Sequence, residues 1–250
     1  MNKKEYIVAF EIGSSKIVGV LAERTDIGTA TVLHMAEEQL ANCVRYGCVQ
    51  NVENIRSSIT RIIRNLENSI IDGRVTKAYV GISGRSLHSE VSEVNRSLNA
   101  SQIITDDIIN NVINDVSQKP LRNYETICVV PQTFFVDKTE TKTPVGQFGA
   151  TIKIKVNLIV AKPPLKTNLG RVMNLGIDVP EYIVTPLAVA NSVLTEAEKR
   201  SGCALVDMGA DTTTITVFSK NVLRHLAVIP LGSDNVTKDT PRFQRTGDSE

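Results

Sequence analysis

Two short stretches near opposite ends of this chain carry the residue types that hold phosphate. The first is Glu11-Ile12-Gly13-Ser14-Ser15-Lys16, which follows the apolar run Tyr6–Phe10. The second is Asp207-Met208-Gly209-Ala210-Asp211-Thr212-Thr213, which follows Ala204-Leu205-Val206. In both, an apolar strand ends in an acid and a small-residue turn with hydroxyls comes next, so the second stretch repeats the first. Glycine lets the backbone approach a ligand, successive N–H groups point at phosphate oxygens, and hydroxyls add donors. A carboxylate at the strand end can hold a hydrated Mg²⁺ that neutralises the phosphate charge. Two such turns facing each other would clamp a nucleotide. Gly13, Ser14, Ser15, Lys16, Asp207, Gly209, Asp211, Thr212 and Thr213 are therefore the candidate binding residues, with Glu11 and Asp207 the candidate metal ligands. Lys16 reads equally well as a solvent-facing strand residue. Neither turn fits a P-loop or a dinucleotide fingerprint, and either one alone reads as an ordinary hairpin. The duplication lifts the phosphate reading above that.

The elements that position these turns are legible in the hydrophobic pattern. Tyr6–Phe10, Ile17–Ala22 and Ala30–Met35 read as a β-meander, with Thr25-Asp26-Ile27-Gly28 as a turn. Val52, Ile55, Ile59, Ile62, Ile63, Leu66 and Ile70 recur at helical spacing behind a candidate cap, Asn51, and Asp72-Gly73 ends the stripe. A strand over 75–83 completes a β-β-β-α-β unit. The block from 84 to 161 has a different character: a strand over 87–94, a helix opened by Thr105-Asp106-Asp107, and long strands over 126–136 and 151–160 around a turn-rich stretch. It predicts a small α+β module. A helix opened by Pro163-Pro164 and stopped near Gly176 follows, then a strand at 182–184 and a helix capped by Thr185-Pro186. Thr195 and Glu198 have capping-box spacing. A strand over 204–209 and a hairpin turning at Lys220-Asn221 repeat the opening pattern.

Composition removes several function classes. The 250 residues are 42% hydrophobic, ample for a core, and 28 basic residues nearly balance 27 acidic ones for a net charge of +1. No basic excess supports a general nucleic-acid surface, and 4% aromatics without tryptophan disfavours base-stacking platforms. No apolar run approaches a membrane span and the N-terminus is not a secretory signal, so a soluble, cytoplasmic protein is expected. Cys43, Cys48, Cys128 and Cys203 lack zinc-ligand spacing and read as free thiols. His34, His88 and His225 read as ordinary surface or half-buried histidines, and no nucleophile–base set supports covalent hydrolysis.

The paired turns resemble the phosphate loops of the superfamily that unites actin, sugar kinases and heat-shock chaperones. Within it the chain is similar to the FtsA family of bacterial cell division proteins. The resemblance rests on Glu11–Lys16, Tyr46-Gly47-Cys48-Val49-Gln50-Asn51, Val80-Gly81-Ile82-Ser83-Gly84, Val130-Pro131-Gln132, Pro144-Val145-Gly146, Val193-Leu194-Thr195-Glu196, Asp207-Met208-Gly209 and Leu223-Arg224-His225. Each is short, but their order runs from residue 5 to about residue 239. The resemblance implies an α/β fold: an actin-like ATPase (ribonuclease H-like) lobe formed by 1–83 and 162–200, an inserted small α+β subdomain over 84–161, and the start of a second lobe over 201–250. It implies binding of ATP and Mg²⁺, self-association, contacts to other division proteins through the inserted subdomain, and tethering of the FtsZ ring to the inner face of the cytoplasmic membrane. At most it implies a weak ATPase.

The chain also departs from the family pattern. Glu11 stands where the superfamily mostly has Asp, a mild change. Ala210 and Asp211 replace two glycines of the second loop, and Asp211 places a negative charge where phosphate should sit unless Mg²⁺ intervenes. Weakened ATP and Mg²⁺ binding is the expectation. Residues 240–250 are polar and turn-like where the family continues into the rest of the second lobe, its adenosine loop, its FtsZ-binding region and a membrane helix. A truncated product or fragment is expected, with exposed strand edges. Two alternatives stay open: an interaction scaffold that ignores nucleotide, and a small-molecule kinase of the same superfamily.

Overall fold

A computed structural model of the chain describes residues 6–24, 29–70 and 74–237. The turn at 25–28, the helix stop at Asp72-Gly73 and the polar tail at 240–250 lie outside the described residues. The opening meander forms as its pattern predicts: β1 (Tyr6–Ile12), β2 (Lys16–Arg24) and β3 (Ala30–Gln39) pair in antiparallel order. A short hairpin of β4 (Val44–Arg45) and β5 (Cys48–Val49) turns at Tyr46 and Gly47, both with positive φ. Helix α1 (Val52–Glu67) is capped by the Asn51 side chain, which accepts from the Asn54 N–H at 3.0 Å. Its stripe of Ile55, Ile59, Ile62 and Leu66 is buried against the sheet. The helix stops at Glu67 rather than Ile70, yet Ile70 still packs on the same core. The next strand, β6 (Tyr79–Ile82), is shorter than the apolar run 75–83, because Val75 and Ala78 are buried in the core outside the strand.

The middle block builds its own layer. β7 (His88–Ile103), α2 (Asp106–Ser117), β8 (Glu125–Val136), β9 (Thr139–Thr141) and β10 (Phe148–Ala161) follow one another. β10 lies between β7 and β8, antiparallel to both. That long ladder carries β7 well past Val94, where its apolar alternation ends. β9 occupies part of the stretch that sequence alone reads as turns. Helix α2, capped by Thr105, buries Ile109, Val112 and Val116 against Ile152, Ile154 and Val156.

The chain then returns to the first layer through α3 (Pro164–Met173), β11 (Tyr182–Val184), α4 (Thr185–Val193) and α5 (Glu196–Ser201). β11 and β1 both pair in parallel with β6, giving the sheet order β11-β6-β1-β2-β3. The Thr195–Glu198 capping box forms in full. One cap is different from the sequence reading. Thr185 does not cap α4; Val184 is the cap residue, and the Thr185 hydroxyl is used elsewhere.

β12 (Cys203–Met208), β13 (Thr213–Ser219) and β14 (Val222–Ile229) form the last meander, turning at Lys220 and Asn221 with positive φ, as a tight hairpin requires. This meander does not stand apart. β14 pairs with β7 at Ala227 and His88, so the sheet order runs β12-β13-β14-β7-β10-β8-β9. Phe218, Leu223 and Leu226 also join the core built by the first layer. Sequence periodicity identifies these strands but holds no information on which sheet edge they extend.

Candidate functional site

The ends of β1 and β12 bring the two acid-and-turn motifs to opposite walls of one cleft of about 370 Å³. Glu11, Gly13, Ser14, Ser15 and Lys16 form one wall; Asp207, Gly209, Asp211 and Thr212 form the other. Each turn is closed by the same bond. The Gly13 N–H donates to the Lys16 carbonyl at 2.9 Å, and the Gly209 N–H donates to the Thr212 carbonyl at 2.8 Å. These two glycine donors are spent within their turns, so direct donation to a ligand falls to the residues between them. The Gly209 and Ala210 carbonyls accept from the N–H groups of Ser233 and Asp234, which pins the second turn to the segment after β14.

Glu11 is the most constrained group in the cleft. Burial pushes its carboxyl above the usual carboxylate range of 4.5, and the charge of Asp207 pushes the same way. The Thr185 hydroxyl opposes both by donating to Glu11 Oε2 at 2.8 Å. Gly81 on β6 makes room for this arrangement: a Cβ there would meet the Glu11 Oε2 and the Thr185 Oγ1. Two carboxylates facing one cleft are a donor set suited to a hard cation, which favours oxygen ligands and retains waters. Among the described residues no cage of three or more His, Cys, Asp or Glu gathers, so the phosphates of a ligand and water would have to complete the shell.

The remaining predicted residues are placed less uniformly. Lys16 lines the cleft, but its ammonium is paired with Glu37 on β3 at 2.8 Å. One oxygen of Asp211 accepts from the Tyr46 N–H at 3.1 Å, so its charge bridges the cleft. The Ser14 hydroxyl accepts from the Gly47 N–H at 3.4 Å. Thr213 is not on the cleft wall. Strand alternation turns its hydroxyl to the Leu231 carbonyl, 2.7 Å away, and presents Thr212 and Thr214 to the cleft instead. Sequence reasoning missed Thr185, Gly47, Ser83 and Thr214 as wall residues. Thr214 carried a signal in its period-2 relation to Thr212, and Gly47 and Ser83 lie within motifs of the family resemblance; Thr185 arrives from a distant segment.

All four cysteines are free. Among the described residues no helix is long and apolar enough to cross a membrane.

Comparison with known proteins adds an independent line. Residues 84–160 match the family model described as the SHS2 domain inserted in FTSA, and residues 204–248 match the model described as cell division protein FtsA. The chain is 31% identical to cell division protein FtsA of Pseudomonas aeruginosa over 96% of its own length and 58% of that protein. It is 28% identical to the FtsA of Porphyromonas gingivalis over 98% of its length and 52% of that protein. The chain thus spans little more than half the length of the curated relatives it matches. Among solved structures it superposes on a chain of the PilM–PilN type IV pilus biogenesis complex with a TM-score of 0.62 at 15% identity, covering 94% of this chain and 65% of that one. The ethanolamine utilization protein EutJ of Carboxydothermus hydrogenoformans gives 0.53 at 12% identity, over 96% of this chain and 57% of that one. The architecture is that of an actin-like ATPase lobe with an inserted small α+β subdomain and the first strands of a second lobe.

Proposed function

Since the chain belongs to the FtsA family of cell division proteins, we propose that it binds ATP with Mg²⁺ between its two acid-and-turn motifs and uses the bound nucleotide to control assembly. The observation that carries this reading is the convergence of Glu11–Lys16 and Asp207–Thr212 on one cleft, with the Glu11 and Asp207 carboxylates electrostatically coupled across it.

Each group has a role that follows from its placement. Glu11 and Asp207 would hold the hydrated Mg²⁺, which supplies the positive charge that draws a polyphosphate toward two carboxylates. Ser14, Ser15 and Thr212 offer hydroxyl and backbone donors between the two closed turns. Thr185 holds the Glu11 carboxylate in position from below. Asp211, tied to Tyr46, acts as a latch between the walls; its charge lowers affinity for phosphate where a glycine would be neutral. Among the described residues that line the cleft, these carboxylates are the candidate general bases, and we read the nucleotide as an assembly switch with slow turnover.

In this reading 1–83 with 162–200 act as the first lobe, 84–161 as the inserted subdomain that contacts other copies and division proteins, and 201–250 as the beginning of the second lobe. Through the family the chain's role would be in self-association and in linking FtsZ to the inner face of the cytoplasmic membrane. Calorimetric titration tests the nucleotide step. Saturable ATP binding that requires Mg²⁺ and weakens on Glu11→Gln is expected. Absence of Mg²⁺-dependent binding at millimolar ATP would reject it and favour a nucleotide-independent scaffold.

A further inference from the structure

The chain crosses between the first layer and the segment matching the inserted domain twice, outward at Gly84-Arg85-Ser86 and back at Ala161-Lys162. The two crossings touch: the Lys162 N–H donates to the Ser86 hydroxyl at 3.3 Å. Beside them lies a cavity of about 540 Å³ that is separate from the cleft of the two acidic turns. Arg85, Lys162 and His88 line it, together with the neutral polar residues Tyr124, Gln50 and Asn168, and no Asp or Glu is among its lining residues.

The Arg85 and Lys162 charges here are not neutralised by carboxylates. The Arg85 guanidinium sits over the Tyr46 ring at 5.6 Å. Burial pushes the Cys48 thiol up, while the positive charges of Arg85 and Lys162 pull it down, which places both cations close to one wall of the cavity. Among the described residues neither Arg85 nor Lys162 forms an ion pair with a carboxylate. His88 is held edge-on to Tyr124 at 5.0 Å, with its ring nitrogens facing the Ser86 carbonyl and Glu90. The Glu90 carboxylate faces His88 and pairs with neither Arg85 nor Lys162. Two unpaired cations held in one concave, carboxylate-free site bind oxyanions by charge-assisted hydrogen bonds.

We propose that this cavity is a second anion site, which takes a small phosphate-type oxyanion between Arg85 and Lys162. A bound anion would join the outward and returning crossings through one ligand and so restrain the inserted segment relative to the first layer. The cavity is larger than inorganic phosphate fills, so an organic phosphate binds more tightly than the free ion. This site does not depend on nucleotide binding in the acidic cleft, whose walls share none of its lining residues.

Titration of the full chain with inorganic phosphate, and separately with glycerol 1-phosphate, tests the site. The readout is protection of Cys48 from iodoacetamide, followed by mass spectrometry of its peptide and expressed as the ratio of rates without and with the anion. Saturable protection by both probes is expected, stronger for glycerol 1-phosphate. Lys162→Gln should weaken it about tenfold or more, Arg85→Gln at least as much, and Arg85→Lys should restore part of it. Circular dichroism melts of each variant confirm folding, and Lys162→Gln, which removes no contact to Cys48 sulfur, remains interpretable if Arg85→Gln does not fold. No saturable protection by either probe would overturn the proposal. So would protection that Lys162→Gln leaves unchanged, or binding of an acidic peptide with none of phosphate.

Discussion

The two acidic turns have the same local design but are supported in different ways. The Glu11 turn grows out of β1, a central strand whose neighbours on both sides are hydrogen-bonded and whose Val8, Phe10 and Ile12 are buried. The Asp207 turn grows out of β12, an edge strand on which Val206 and Met208 are 56% and 60% exposed. The first turn is anchored by core burial. The second leads from the exposed edge of a meander that is held to the rest by Phe218, Leu223 and Leu226 in the core and by several polar bonds. The Asn157 amide, wholly buried, donates to the Leu223 carbonyl at 2.7 Å, Gln132 donates to the same carbonyl at 3.0 Å, and the Leu226 N–H donates to Ser89 at 2.9 Å. Polar attachments of this kind contribute roughly 1 kcal/mol each, against several for a buried apolar side chain. Because β12 is an exposed edge strand and β1 a buried central one, we expect the first wall to be the more rigid member of the cleft and the second the one whose position a ligand can change.

The largest effect is expected from disturbing the rigid wall. Gly81→Ala places a Cβ against the Glu11 carboxylate and Thr185 hydroxyl, both held in place. It should destabilise the chain by about 1–3 kcal/mol in urea unfolding and abolish Mg²⁺-dependent ATP binding. If both properties are unchanged, Glu11 is less fixed than its surroundings indicate. A smaller effect is expected at the movable wall. Asn157→Ala should cost about 1 kcal/mol, since Gln132 still serves the Leu223 carbonyl. Amide exchange should rise in β14 and stay unchanged in β1; an equal rise in both would erase the contrast between the walls.

The third prediction uses the raised pKa of Glu11. A carboxyl that binds its proton more tightly when folded lowers stability as pH rises from the ordinary value of 4.5 through its higher folded value. Below that window both states are protonated and the penalty is absent. Glu11→Gln should therefore match the parent in stability at low pH and exceed it at neutral pH, where the parent carries a buried charge. Added Mg²⁺ should narrow the difference by favouring the ionised parent. Parallel stability curves across pH would show that burial does not strain this group.

Much of the fold is legible in local pattern because its elements are strongly periodic. The stripe of α1, the caps at Asn51, Thr105 and Thr195, and the turn at Lys220-Asn221 all follow from side-chain chemistry that acts within a few residues. The length of β7 is not legible that way. Beyond Val94 its residues stay in the strand through pairing with β10, a partner far along the chain. Thr185 shows the same limit in the site. Thr-Pro before a helix reads as a cap, yet the nearest acceptor in space is Glu11, supplied by another strand.

Local sequence thus determined the two acid-and-turn motifs and the helices and strands that lead to them. It also carried the family resemblance, because each motif is a short run of specific residue types. Tertiary structure alone decided that Glu11 shares its pocket with Thr185 and Asp207, that Thr213 faces away while Thr214 faces in, and that the last meander extends the middle sheet. It alone joined Arg85 and Lys162 at the crossings. The physical reason is common to all four. Chemistry within a turn is governed by its own backbone and side chains, whereas burial, charge coupling and sheet-edge choice depend on groups that only folding brings within a few ångströms.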